Sequence, residues 1–156
     1  MTCRPESPHD ASGIAKQHFA RSGSAEAAAE LEREIERRAT PVVLPPNCVV
    51  FREGNPPRYI YLLRNGAVSF TICAGPQTLP CFKVGSGSLV GLSAVIADAP
   101  YALTATASVG AELLRMDSAE FLQLIESRAE WYMSALRKLA EETLQAHRAL
   151  AEMLAS

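Results

Sequence analysis

Few residues in this chain have the type and spacing to do chemistry. Gly85, Gly87 and Gly91 make one segment tight and rich in accessible backbone, just ahead of a short helical turn read over Leu92 to Ala97. Such a run has two uses. It can be a plain tight turn, or its N–H groups can face a small anion at a helix start. Tyr101 follows, able either to offer its hydroxyl to a ligand or simply to pack. His147 reads either as a pH- or ligand-sensing histidine or as one at a dimer seam or on the surface. Asp98 reads as a loop residue. Cys3, Cys48, Cys73 and Cys81 form no C-x-x-C pair and have no histidine at zinc spacing, so they read as structural thiols and no metal is expected. No Ser/His/Asp, Cys/His or paired-carboxylate set suggests catalysis, and the chain is not expected to be an enzyme.

The elements that would position these residues are legible from periodicity. Residues 1–22 contain Ser, Pro and Gly without sustained periodicity and read as a flexible arm. Residues 23–40 read as an N-terminal helix with Ala28, Leu31 and Ile35 as its apolar stripe and Glu34–Arg38 as a favourable i,i+4 pair. Pro41 ends it, and from Val42 the period becomes two. Tyr59 to Leu63 reads as a strand, and Asn65-Gly66 is the strongest short hairpin signal. Val68, Phe70 and Ile72 alternate with Ser69 and Thr71, which predicts a strand with one buried face. Leu79 to Val84 should pair back across Ala74-Gly75-Pro76. Strands resume at Leu103 to Ala107 and Glu112 to Met116. Asp117 caps a helix with Glu120 as its box partner and Phe121, Leu124 and Ile125 as its buried face.

Residues 129–156 read as one long helix, about 37 Å from Glu130 to Leu154. Leu136, Ala140, Thr143, His147, Leu150 and Leu154 recur at alternating steps of four and three. That heptad-like seam suits pairing with a second copy. Packing on the chain's own strands is the alternative.

Two blocks carry a family resemblance. One runs from Phe51-Arg52-Glu53-Gly54 through Tyr59-Ile60-Tyr61 to Asn65-Gly66-Ala67-Val68. The other runs from Gly85 through Gly91-Leu92-Ser93-Ala94-Val95-Ile96 to Pro100-Tyr101 and Leu103–Ala107. With the long helix that follows, residues 41–128 resemble the cyclic-nucleotide-binding domain of Crp/Fnr-type regulators. The resemblance implies a mainly β fold, a double-stranded β-helix (jelly roll), with an N-terminal helical arm and a long C-terminal dimerisation helix.

The resemblance also implies a site. The family pattern is Gly-Glu-x-(Ala/Gly)-Leu, then Arg-(Ser/Thr)-Ala, with Glu on the ribose hydroxyl and Arg on the phosphate. Here Gly91 matches the glycine and Ala94-Val95 the small-then-apolar pair. The glutamate position is Leu92, and the arginine position falls at Pro100-Tyr101-Ala102, which holds no cation. The ligand-facing residues implied are Gly91, Leu92, Ser93, Ala94, Tyr101, Ala102 and Thr104, with Thr143 and His147 on the helix side. Each charge-assisted hydrogen bond is worth ~1.5–3 kcal/mol, so losing two weakens binding roughly 10²- to 10⁴-fold. A cyclic nucleotide is therefore disfavoured, and a small apolar or aromatic effector fits better.

Composition narrows the partners. The net charge of −2, with Arg and Lys scattered among acids, argues against nucleic-acid binding by this chain alone. Nothing approaches the ~20 apolar residues of a membrane span, and Met1 to Asp10 has no apolar signal core, so a cytoplasmic address is expected. Relatives usually continue into a winged helix-turn-helix, and this sequence stops at Ser156. It reads either as an effector-only protein or as a fragment. The expected role is a sensory domain of a transcriptional regulator, acting as a homodimer. The alternative is a ligand-free interaction module on the same β-roll.

Overall fold

The computed structural model describes residues 25–155. The arm expected over 1–22 and the first two residues of the expected 23–40 helix lie outside them. Helix α1 covers residues 25–38. Eight strands follow among the described residues: β1 (Thr40–Val43), β2 (Val49–Phe51), β3 (Tyr59–Asn65), β4 (Val68–Ala74), β5 (Gln77–Val84), β6 (Leu89–Val90), β7 (Thr104–Ala107) and β8 (Glu112–Asp117). Helix α2 (Leu92–Ala97) lies between β6 and β7, and α3 (Ser118–Glu126) and α4 (Ala129–Ala155) close the chain. The strands form two antiparallel four-stranded sheets, ordered β1-β8-β3-β6 and β2-β7-β4-β5. Helical residues outnumber strand residues. The "mainly β" expectation is thus corrected to a mixed fold, because α1, α3 and α4 together cover one sheet.

Two apolar clusters explain this layering. Phe51, Leu63, Val68, Phe70, Ala105 and Leu113 meet between the sheets. Ile60, Leu62, Leu114 and Met116 face the other way, onto Leu31, Ile35, Phe121, Ile125 and Ala135 of the helices. Strand β3 therefore buries both faces, which is why Tyr59 to Leu63 reads as a continuous apolar run rather than an alternation.

Several local expectations change. Asn65-Gly66 makes no hairpin. β3 pairs with β6 and β8 while β4 pairs with β5 and β7, so this turn carries the chain from one sheet to the other. Gly66 is required there. Its φ is 87°, and a Cβ would stand 2.7 Å from the Ala111 Cα. The two-residue hairpin is Gly75-Pro76, with Ala74 opposite Gln77, and β5 pairs back across it as expected. Ile72 is exposed, because β7 stops opposite Thr71 and the outer part of β4 pairs with β5 alone. Thr40 and Pro41 belong to β1 rather than to a helix end. β1 is an edge strand, where a missing N–H is tolerated. In α1 the buried row is Ala27, Leu31 and Ile35, with Ala28 exposed. The contact follows an i±4 ridge rather than a mixed three-and-four step. Glu34 does pair with Arg38, at 2.8 Å, and also with Arg37.

The Asp117 carboxylate accepts the Ala119 N–H at 2.9 Å and caps α3. Helix α4 buries Trp131, Ser134 and Ala135 in its first turns. Arg128 joins this end to α1 through Glu30 at 3.0 Å, with its guanidinium 4.7 Å from the Trp131 ring centre. The distal half of α4 runs past β5, where the Gln145 amide donates to the Lys83 carbonyl at 3.4 Å.

Candidate functional site: a cavity between the β-sandwich and the long helix

The second half of α4 closes one side of a cavity of about 160 Å³. Phe70 of β4 and Phe82 and Val84 of β5 form one wall, their two rings stacked with centres 4.8 Å apart. The strand-to-helix turn from Ser88 to Ala94 forms the second, and Tyr101 to Leu103 the third. Leu139, Glu142, Thr143 and Ala146 of α4 complete it. These four recur at steps of three and four, one face of a helix.

Seven of the nine residues named from sequence border this space: Gly91, Leu92, Ser93, Ala94, Tyr101, Ala102 and Thr143. Thr104 and His147 do not. Thr104 lies on β7 and its hydroxyl accepts the Glu53 N–H at 3.0 Å, which ties the β2–β3 loop to the sheet. His147 is exposed, one residue round the helix from Ala146, which holds the cavity-facing position. The Thr143 hydroxyl donates to the Leu139 carbonyl of its own helix at 2.9 Å.

Tyr101 is built into the framework. Its ring stacks on Phe51 with centres 3.8 Å apart and planes 9° apart. Its hydroxyl donates to the Tyr59 carbonyl at 2.6 Å and accepts the Tyr59 N–H at 3.4 Å. Its backbone is clamped as well. Gly54 N–H donates to the Tyr101 carbonyl at 2.8 Å, and Tyr101 N–H donates to the Asn55 carbonyl at 3.0 Å. Burial pushes the phenol up, opposed by the bond to Tyr59. Gly91 makes room for this ring. At φ 94° a Cβ there would meet the Tyr101 ring at 3.1 Å and Phe51 at 3.4 Å. Tyr101→Phe, which keeps the stack and loses the hydroxyl, should destabilise the fold by ~1–2 kcal/mol, read from the urea midpoint. An unchanged midpoint would mean the hydroxyl contributes nothing.

Leu92 is 1% exposed and belongs to the cluster beneath the helices, with Ile60, Leu114 and Phe121. Among the described residues no Lys, Arg or His borders the cavity, and Glu142 is the one acidic residue that does. The residue is half-buried, yet its Oε1 has no exposure and no hydrogen-bond partner. Burial pushes its carboxyl up to about 7, against the opposing pull of Lys138 and the Leu89 N–H and with a further push from Glu141. Sequence reasoning missed Glu142. The signal was there: a single acid three residues after Leu139 and next to Thr143, inside an otherwise apolar or small stripe.

Other chemistry is sparse. Cys48, Cys73 and Cys81 are free thiols, and burial raises Cys81, with a smaller push from Glu53. Among the described residues no group of His, Cys, Asp and Glu could hold a metal ion. No helix among them is long and apolar enough to cross a membrane.

Comparison with known proteins gives the fold a context. No curated protein matches the chain. Among solved structures, the sensor domain of the transcriptional regulator DNR from Pseudomonas aeruginosa matches at 21% identity and TM-score 0.63, over 85% of this chain and 90% of that one. The N-terminal domain of a transcriptional regulator from Streptomyces coelicolor matches at 22% identity and TM-score 0.60, over 77% of this chain and 84% of that one. Thermus thermophilus catabolite activator protein matches at 21% identity and TM-score 0.66, over 80% of this chain but only 59% of its own length. The sequence model of the cyclic nucleotide-binding domain matches residues 41–128, more than half of the chain. With its paired antiparallel sheets and the helices packed on them, the chain belongs to the cyclic nucleotide-binding domain family.

Proposed function

We propose that this chain is the effector-sensing domain of a Crp/Fnr-type transcriptional regulator whose pocket has turned away from cyclic nucleotides. It is a binding module rather than an enzyme and acts in the cytoplasm. The observation that carries the reading is the cavity itself: one wall is the strand-to-helix turn, another is α4, and no cation among the described residues lines it. A cyclic nucleotide would bring its phosphate to a space whose one charged neighbour among the described residues is a carboxyl. The volume of about 160 Å³ also falls below the ~300–1,000 Å³ of pockets that enclose drug-sized ligands. It is close to the ~150 Å³ of an apolar cavity that takes up benzene. A small effector lying against Gly91, Ser93, Ala94, Ala102 and Thr143, with Leu92 and Tyr101 as the framework behind them, fits this space.

The signal would leave along α4. The helix touches the cavity on one face and exposes Leu144, Leu150, Met153 and Leu154 elsewhere. That unpartnered apolar surface, overlapping the heptad seam, supports a homodimer through α4. The formal charge of −2 supports a role in which this chain does not itself grip nucleic acid.

The test is a thermal-shift titration with cAMP, cGMP, cyclic dinucleotides and small aromatics, alongside hydrogen exchange of α4. A ligand at 100 times its dissociation constant adds ~2.7 kcal/mol of stability. Small aromatics should stabilise the chain and change α4 protection, while cAMP and cGMP should do neither. A clear shift with either nucleotide would overturn this reading of the pocket. Unchanged α4 protection with a bound aromatic would remove α4 as the relay.

A further inference from the structure

The occupant of the cavity can be narrowed further, on the reading just given. We infer that the cavity recognises a small aromatic molecule carrying a hydrogen-bond donor and no negative charge, and that Glu142 on α4 is the group that reads the donor. Three observations meet at Glu142. It borders the cavity as a half-buried carboxyl, of which one oxygen, Oε1, is sealed from solvent without a hydrogen-bond partner. Of the other polar side chains nearby, the Tyr101 hydroxyl is bound to Tyr59 and the Thr143 hydroxyl donates into its own helix, which leaves only the neutral Ser88 and Ser93 hydroxyls beside the Glu142 carboxyl. The remaining walls are rich in aromatic and aliphatic groups, led by Phe70 and Phe82.

A half-buried carboxyl among apolar walls is poorly hydrated, so a ligand donor that reaches it gains more than one that leaves water for an apolar wall. The same carboxyl rejects an anionic ligand, because among the described residues no Lys, Arg or His borders the cavity to compensate. The nearest balancing groups are Lys138 on the same helix and the Leu89 N–H, with Glu141 acting against them. Glu142 lies on the helix expected to carry the signal, so a bond to it couples occupancy directly to α4.

Phenol and toluene separate this inference from the bare cavity. They differ by a hydroxyl in place of a methyl, and an apolar cavity by itself favours toluene, which is the less well hydrated of the two. Dissociation constants for phenol, toluene and benzoate would be measured on the whole chain by ligand-observed NMR near pH 8. Phenol is expected to bind about 10-fold or more tighter than toluene, and benzoate not to bind. Glu142→Leu should remove or reverse that preference while keeping toluene binding. The wild-type comparison needs no variant, so a misfolded Glu142→Leu leaves the question decidable. Equal binding of phenol and toluene by the wild type, or an unchanged ratio in Glu142→Leu, overturns the role of Glu142 while leaving a live cavity. Failure of both aromatics to bind would end this inference and the live pocket together.

Discussion

Leu92→Glu, which writes the family's acid back into its motif position, is expected to cost ~3–5 kcal/mol of stability at neutral pH. It should not restore cyclic-nucleotide binding. The reason lies in where the side chain goes. Leu92 is 1% exposed among Ile60, Leu114, Met116 and Phe121. A carboxylate there would lose its hydration and find apolar neighbours, so it would neutralise or drive the fold open. The deficit should shrink as pH falls and the new acid is protonated, a signature that simple loss of packing lacks. Urea unfolding at pH 7 and near pH 4.5 reads both effects. A variant within 1 kcal/mol of the wild type that also gains a thermal shift with cAMP would show that this position still faces a nucleotide site.

The second large effect concerns Glu142 and pH. Burial is the main cause that raises its carboxyl from 4.5 to about 7 in the fold. The folded state therefore holds a proton that the unfolded state has released across that interval. Stability is highest below the unfolded value and falls as pH rises from about 4.5 through 7, because folding then buries an ionised group. The penalty grows to ~2–3 kcal/mol above pH 8. Glu142→Gln keeps the size and removes the charge. It should be more stable than the wild type at pH 8 by about that amount and close to it near pH 4.5. Paired denaturation curves at the two values check this. A constant difference at both would place Glu142 in an ordinary solvated setting. If a donor-bearing ligand occupies the cavity, the wild-type penalty should diminish in its presence.

Much of the architecture was legible because it depends on local chemistry. The alternation at Val68 and Phe70, the Asp117 cap, and the buried Phe121, Leu124 and Ile125 of α3 each follow from period and capping. The misreadings share one cause. Asn65-Gly66 has the local chemistry of a hairpin, yet which sheet the next strand joins depends on partners tens of residues away. Ile72 has the right parity for burial, but burial needs β7 beside it, and β7 stops at Thr104. Ala27 and Ala28 are equivalent in sequence, and only the tilt of α1 on its sheet distinguishes them.

The candidate site divides the same way. Gly91 is fixed by the turn it makes, and on the proposed reading Leu92 and Tyr101 stand where the family pattern carries its two charges. Whether those replacements face a ligand or the core is invisible in one dimension. Packing sends Leu92 under the helices and locks the Tyr101 hydroxyl onto Tyr59.

The sequence by itself determined the family and the order of most elements, since both are properties of residue type and near-neighbour spacing. Only the tertiary structure decided that α4 closes the cavity with Glu142 rather than His147. On a helix, one residue of advance turns a side chain by about 100°, and only the contact with β5 and the turn before α2 selects which angle faces inward.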